Sequence, residues 1–388
     1  MTMLRQVLAI TAMNFKSLPG RLWPSLVIVA GMACVIGVLV SMLSFTAGYV
    51  RSEIAAGDPG RAIVLGSATD NEGASNISRD STGAIMDAPG IRKDPDGSAI
   101  ADAEILITMP ATRKIGPIST LLIRGLGPKG FELRSEMKLV SGRMFRPGAR
   151  ELIVGAAAQD QFAGFDVGDK VIMPDGEWPI VGTFTTGDNL ESELIADDDT
   201  LMGAARHPNY NSVIARLDSA PDSLDRLKNS LTSNPALAVS VERHSDYYRH
   251  FSAAYAAFFD GATYTVGAIM AIGALFGALN TMYAAVAARA REIATLRAIG
   301  FGALPVAVSV VSEAMLLALA GALIGSAAAW ALFNGVQKAF FNNIFNLAVT
   351  PGLIGLGISW ALIVALLGGL LPSIRAARLA IVDALRAT

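Results

Sequence analysis

Three histidines and one cysteine are the first residues of this chain to weigh for chemistry. His207, His244 and His250 bring no cysteine with them, and their spacing fits no common zinc pattern, so they read as packed or surface side chains rather than metal ligands. Ser, His and Asp meet at His244-Ser245-Asp246, but sequence neighbours do not make a triad, whose geometry comes from residues brought together by folding. No G-x-S-x-G elbow occurs, and no G-x-x-x-x-G-K-[ST] phosphate loop. Cys34 is the only cysteine, so no intramolecular disulfide can form. The chain therefore reads as non-catalytic and binds no cofactor of its own. An ATP-driven step would need its nucleotide and magnesium on another polypeptide.

The stretch with mechanical content is Arg289-Ala-Arg-Glu-Ile-Ala-Thr-Leu-Arg-Ala-Ile-Gly-Phe301. As a helix it places Ile293, Leu296 and Gly300 on one apolar ridge between basic residues, a shape that can dock into a groove on a partner. Gly300 then lets the chain turn. A solvated loop would carry the same charges, and the residues alone do not separate the two readings. Beyond it, Glu313 is the only charge in its apolar run. A lone charge in a span costs about 2.5–3.5 kcal/mol on insertion scales, which marks it as functional by default. Pairing with a neighbouring arginine or capping nearby backbone, as an anchor for the preceding helix, is expected of it ahead of an ion-translocating role. Two G-x-x-x-G matches, Gly273–Gly277 and Gly321–Gly325, allow close helix packing within a subunit or across a dimer.

These residues need a membrane to position them. Of 388 residues, 52% are apolar and 16% charged, against about 25% charged in an ordinary globular domain. The mean hydropathy is +0.47. A net charge of −2 gives no reason to expect nucleic acid. Four apolar runs reach the about 20 residues that cross a bilayer. They lie at 22–50, 261–288, 304–334 and 352–374. The first is too long for a cleaved signal peptide. Basic flanks at Arg5, Lys16 and Arg21, at Arg289, Arg291 and Arg297, and at Arg375, Arg378 and Arg386 place both termini and the 289–303 segment in the cytoplasm. Residues 51–260 are then outside, as is a short loop at 335–351. Met3 to Phe15 reads as a basic amphipathic helix on the inner lipid surface, and 375–388 as a cytoplasmic tail.

The outside region reads as α+β. Strands are expected at Arg61–Gly66, Ala103–Thr108, Leu121–Arg124 and Glu151–Val154, with a short helix at Ala156–Phe162. Val171–Met173 and Ile180–Phe184 form a hairpin across Pro174-Asp-Gly176. Gly83 to Gly97 reads as a loop. Ser212–Leu217, Asp222–Leu231 and Ala236–Glu242 make a βαβ-like unit. Two lobes are expected, one inserted at about 118–195, and Phe251 to Phe259 reads as an aromatic segment at the outer interface.

Several of these stretches resemble the MacB/FtsX-like ABC permease family. The resemblance lies in Arg291-Glu-Ile-Ala-Thr-Leu-Arg-Ala-Ile-Gly300 with Glu313-Ala beyond, and in Leu371 to Arg386. Val140-Ser-Gly-Arg-Met-Phe145, Glu151-Leu-Ile-Val154, Phe165-Asp-Val-Gly-Asp169 and Ile180-Val-Gly182 extend it to the outer region. It implies an α-helical membrane protein with four spans and a MacB-like periplasmic domain, similar to the stand-alone permeases because no ATPase is fused to it. It implies a dimer, read as a homodimer, in the bacterial inner membrane, with an ABC ATPase on each cytoplasmic face. The family's coupling helix maps onto Arg289, Arg291, Glu292, Ile293, Leu296, Arg297, Ala298 and Gly300. Such systems commonly add a periplasmic adaptor and an outer-membrane channel. The implied activity is mechanotransmission that moves amphiphilic cargo outside the membrane. An FtsX-type activator of a cell-wall hydrolase and a lipoprotein-releasing permease remain as alternatives.

Overall fold

In the computed structural model the described residues are 22–340 and 343–378. The amphipathic segment expected at 1–21 and most of the tail lie outside them. The chain divides into a helix unit, comprising residues up to 47, 257–336 and from 347 onward, and a sheet unit, comprising 48–256 and 337–346.

Four helices are long and apolar enough to cross a membrane: α1 (Leu22–Ala56), α7 (His244–Ala288), α9 (Ala303–Phe333) and α10 (Pro351–Ala377). Helices suit these runs because every backbone polar group must be satisfied internally in hydrocarbon. Hydroxyls follow the same rule: Ser312 Oγ donates to the Val308 carbonyl at 2.8 Å and Ser359 Oγ to Gly355 at 2.9 Å. α10 starts at Pro351, whose missing N–H costs nothing in a first turn, after Thr350, whose side chain accepts from Leu353 N–H. Within the helix unit, Ile36, Leu39 and Val40 of α1 pack against Ala318 and Ala322 of α9 and Ala361 and Ala365 of α10. α1 and α7 both exceed the expected spans. α7 begins at His244, well before 261, so much of the expected aromatic interface segment is the regular helix that leaves the sheet unit.

The sheet unit is built on ten strands: β1 (Arg61–Gly66), β2 (Ala101–Ala111), β3 (Ser119–Leu126), β4 (Lys138–Gly142), β5 (Leu152–Gly155), β6 (Lys170–Met173), β7 (Gly176–Thr185), β8 (Glu193–Asp197), β9 (Ser212–Arg216) and β10 (Val239–Arg243). Their order is β10-β1-β9-β2-β3-β8-β5-β7-β4, with β6 paired to β7. β2 is long enough to serve both halves of the sheet. Its residues Ala101–Glu104 pair with β9, and Ile105–Ala111 with β3. Strands between 119 and 197 therefore all lie on one side of β2. β9 and β10 are each antiparallel to β1, which sits between them, and α6 (Ser223–Thr232) makes the crossover. Gly83 falls inside the helix α2 (Arg79–Met86), where a loop was expected; Thr82 and Ile85 are buried and hold it to the sheet unit. The remaining short helices are α3 (Gly130–Leu133), α4 (Ala156–Gln161) and α5 (Asp198–Ala205).

The segment expected as a short loop between α9 and α10 is a hairpin, β11 (Gln337–Phe340) with β12 (Asn343–Asn346). It belongs to the sheet unit, and its Ile344 is part of that unit's core.

Candidate coupling site

In the helix unit, α7 ends at Ala288 and a nine-residue helix, α8 (Ala290–Ala298), precedes α9. Its end follows from the sequence. Gly300 takes φ +102°, open to glycine at no steric cost. Gly300 N–H donates to the Arg297 carbonyl and Phe301 N–H to Leu296, the two bonds of a Schellman cap, with Leu296 and Phe301 joining one apolar cluster as the motif prefers.

The apolar ridge does not face outward. Ile293 and Ala294 are buried, and Ile293 joins Val286, Val306 and Val310 in the helix unit's own core, with Leu296 against it. An apolar ridge beside a helical bundle is satisfied first by the helices covalently attached to it. The residues of the stretch left exposed are Arg291, Glu292, Thr295, Ala298, Ile299 and Gly300. Ile299 is 68% exposed and Leu304 57%, which adds an apolar component that the ridge reading omitted.

Behind α8 lies the ion pair. Arg289 Nη1 donates to Glu313 Oε2 at 2.7 Å and Nη2 to Oε1 at 3.2 Å, a two-point contact. Both side chains are nearly buried, at 7% and 12%. The fork geometry of guanidinium and carboxylate is the strong form of such a bond, and Arg supplies it where Lys cannot. The pair ties the residue before α8 to the third turn of α9.

The two glycine pairs separate. A Cβ on Gly321 would lie 2.6 Å from the Val29 carbonyl oxygen and one on Gly325 2.3 Å from that of Ala33, so α9 touches α1 through bare backbone. The same addition at Gly273 or Gly277 meets open space.

The sheet unit carries a second feature that no sequence pattern announced. Asn343 Nδ2, on the hairpin, donates to Glu53 Oε1 at 2.6 Å, and Asn189 Nδ2 donates to Glu53 Oε2 at 3.2 Å. Ile344 N–H donates to Ser192 Oγ at 2.7 Å. Glu53, Ser192 and Asn343 are all buried. The hairpin is thus fastened to the sheet unit by hydrogen bonds removed from water, where each is worth more than at a surface. Only the chain-distant pairing of positions 53, 192 and 343 makes these residues notable, and a single sequence holds no trace of it.

Deeper in the sheet unit, Arg124 is fully engaged. Its Nε donates to Glu193 at 2.7 Å, and its Nη1 to Glu104 at 2.8 Å and Glu72 at 2.9 Å; Arg134 donates to Glu104 at 2.8 Å. Burial works against charge on Glu72, but Arg124 overcomes it and holds the carboxyl below its usual range. Burial prevails at Glu193, which is raised despite Arg124. Asp102, nearby, is pushed up to about 8, first by burial and then by Glu104. Its carboxyl accepts from the Gly127 N–H at 2.9 Å, which works against that rise.

The histidines take ordinary places. His244 Nδ1 accepts from Asp58 N–H at 3.2 Å, His207 Nδ1 lies 2.7 Å from the Asn209 carbonyl, and Asp246 pairs with Arg249 rather than His244. Among the described residues no group of three or more His, Cys, Asp or Glu side chains is placed to hold a metal.

Comparison with known families and structures is consistent along the chain. Residues 25–234 match the MacB-like periplasmic core domain, and residues 264–381 match the FtsX-like permease C-terminal family. A search of curated proteins gives no match. Among solved structures, the extracellular domain of a noncanonic ABC-type transporter, YknZ, from Gram-positive bacteria is 14% identical, with a TM-score of 0.36, over 47% of this chain and 99% of its own. The periplasmic region of MacB from Actinobacillus actinomycetemcomitans is 13% identical, with a TM-score of 0.38, over 52% of this chain and 96% of its own.

Proposed function

Since the chain belongs to the MacB/FtsX-like family of ABC transporter permeases, we propose that it is the membrane subunit of an ATP-driven complex whose ATPase is carried by another polypeptide. In this reading α8 is the contact for that ATPase, on the cytoplasmic side, and the sheet unit works outside the membrane on amphiphilic cargo. The observation that carries it is the construction of α8: a capped helix held by its own apolar ridge and by the Arg289–Glu313 pair, with Arg291, Glu292, Thr295 and Ile299 left outward. A helix anchored on one face and exposed on the other transmits force to the elements that anchor it. Pairing of two such chains as a homodimer, and partnership with an adaptor and an outer-membrane channel, belong to the same proposal.

The test is purification of the native complex in mild detergent, followed by ATPase assays on the reconstituted pair. Substituting the outward residues, as Thr295→Arg with Ile299→Asp, is expected to remove the ATPase from the complex while the permease stays folded. Substituting only toward conservative apolar residues at Ile293 should leave binding in place. Retention of the ATPase by the double variant would overturn α8 as the contact. A peptidoglycan hydrolase in place of an adaptor among the co-purifying proteins would turn the reading toward the FtsX-type transducer, and a lipoprotein carrier toward the lipoprotein-releasing permease.

A further inference from the structure

The sheet unit contains a half-open cavity of about 290 Å³ that none of the preceding roles uses. Pockets for small organic ligands begin near this size, at about 300 Å³. Its walls are aromatic: Tyr49, Tyr247, Tyr248, Phe251, Tyr255 and Phe340 all line it. The rings are in contact, with Tyr247 stacked on Phe251 at 6.0 Å between centroids, Phe251 tilted against Tyr255 at 5.2 Å, and Tyr49 edge-on to Tyr255 at 5.9 Å. Tyr247, Phe251 and Tyr255 recur every four residues, so α7 presents them as one stripe.

The polar lining is acidic. Three carboxylates, Glu53, Glu72 and Glu193, face the cavity against one guanidinium, Arg124, whose charge is already committed to Glu72, Glu104 and Glu193. Glu53 is different from the other two. It is 3% exposed, its partners are the neutral Asn343 and Asn189 amides and the Tyr49 hydroxyl, and among the described residues no cation pairs with it. On its other side the same aromatic stripe borders a second cavity of about 720 Å³, whose charged side chains include Asp70 and Glu242, with His250 3.4 Å from Glu242. Ring faces attract cations through their quadrupole, most strongly where water is excluded, and a buried carboxylate without a counter-charge adds to that attraction. An anion would face three carboxylates against one committed guanidinium, and a purely apolar guest would leave Glu53 without a counter-charge.

We infer that the cavity bounded by Glu53 and the Tyr247–Phe251–Tyr255 stripe binds an amphiphilic organic cation, an ammonium group carrying an apolar body. As recognition of cargo, this assignment rests on the permease reading above; as binding, it needs no ATPase.

The experiment is equilibrium binding to the full-length chain in lipid nanodiscs, without nucleotide or ATPase, with empty nanodiscs as the blank. The probes are benzyltrimethylammonium, its neutral isostere neopentylbenzene, and the anion benzylsulfonate. Saturable binding of the cation is expected, about tenfold or more tighter than the neutral isostere, as a desolvated cation–π contact implies. Glu53→Gln and, separately, Phe251→Leu should each cost the cation about tenfold and leave the neutral probe unchanged. Phe251→Leu keeps apolar bulk and leaves the Glu53 hydrogen bonds intact, so it reports on the ring if the first variant unfolds. Absence of saturable cation binding by the folded wild type, equal affinity for the neutral isostere, or indifference to both variants would overturn the site. If binding fails while the ATPase still associates, only the site falls. If binding holds while no ATPase associates, only the permease reading falls.

Discussion

The helix unit and the sheet unit both bury ionised side chains, and they do so in opposite ways. The sheet unit collects Arg124 and Arg134 with Glu72, Glu104 and Glu193, and lets Asp102 stay protonated beside them. The helix unit sets the two-point Arg289–Glu313 contact beside the apolar cluster of Ile293, Val306 and Val310. A network shares its charge among several partners, so its members can adjust to one another's loss. A pair has one arrangement. The network suits a domain that must keep its shape, and the pair suits a joint whose two ends must move together.

Breaking the network at its centre should have the largest effect. Arg124→Leu leaves Glu72, Glu104 and Glu193 with one buried arginine among them, and removing one partner of a buried pair alone costs about 3–5 kcal/mol. The expected outcome is a sheet unit that no longer resists limited proteolysis in the full chain; a resistant one would mean that water or the acids' own protonation relieves the loss.

Glu313→Ala should follow, at about 1–3 kcal/mol, the cost of taking the acceptor away from a buried donor. Its sharper readout is coupling: ATPase stimulation in the reconstituted complex should drop, and the exchange Arg289→Glu with Glu313→Arg should restore part of it. Unchanged stimulation by the single variant would remove the pair from the transmission route.

Glycines give the next contrast. Gly325→Val drives side-chain atoms into the Ala33 carbonyl and should cost about 1–3 kcal/mol, read as a lower melting temperature in detergent. Gly277→Val meets open space in the single chain and should change the monomer's melting by less than about 0.5 kcal/mol. A larger loss at Gly277 than at Gly325 would place that glycine against something beyond the single chain.

A pH slope gives a further contrast. With its carboxyl raised to about 8, native Asp102 keeps a proton that the unfolded chain releases above about 4. Its contribution is therefore fully present below about pH 4 and declines as pH rises to about 8. Asp102→Asn mimics the protonated form, so melting temperatures of the variant between pH 5 and 8 should fall less than those of the wild type. Parallel curves would assign the slope to another group.

Much of the scaffold was legible. Arg61–Gly66 reads as a strand because its apolar run is bounded by Gly60 and the polar stretch after it, and the hairpin across Pro174-Asp-Gly176 follows from turn chemistry. The Schellman cap at Gly300 is written in Leu296, Gly300 and Phe301. The aromatic start of α7 was read as an interface segment because ring content alone does not tell a membrane belt from a cavity wall. The hairpin at 337–346 was missed because four-residue strands carry too few alternations to stand out.

Local spacing and hydropathy, which depend only on neighbours along the chain, determined the four apolar helices, the basic flanks and the position of α8. Tertiary structure decided which way each face turned. Ile293 went inward because Val286, Val306 and Val310 were there to receive it, Gly321 and Gly325 met α1 while Gly273 and Gly277 met nothing, and Glu53 found Asn189 and Asn343 far away in sequence. Such choices rest on contacts between distant segments, and the free energy of a contact belongs to both partners at once, so neither partner's own sequence can state it.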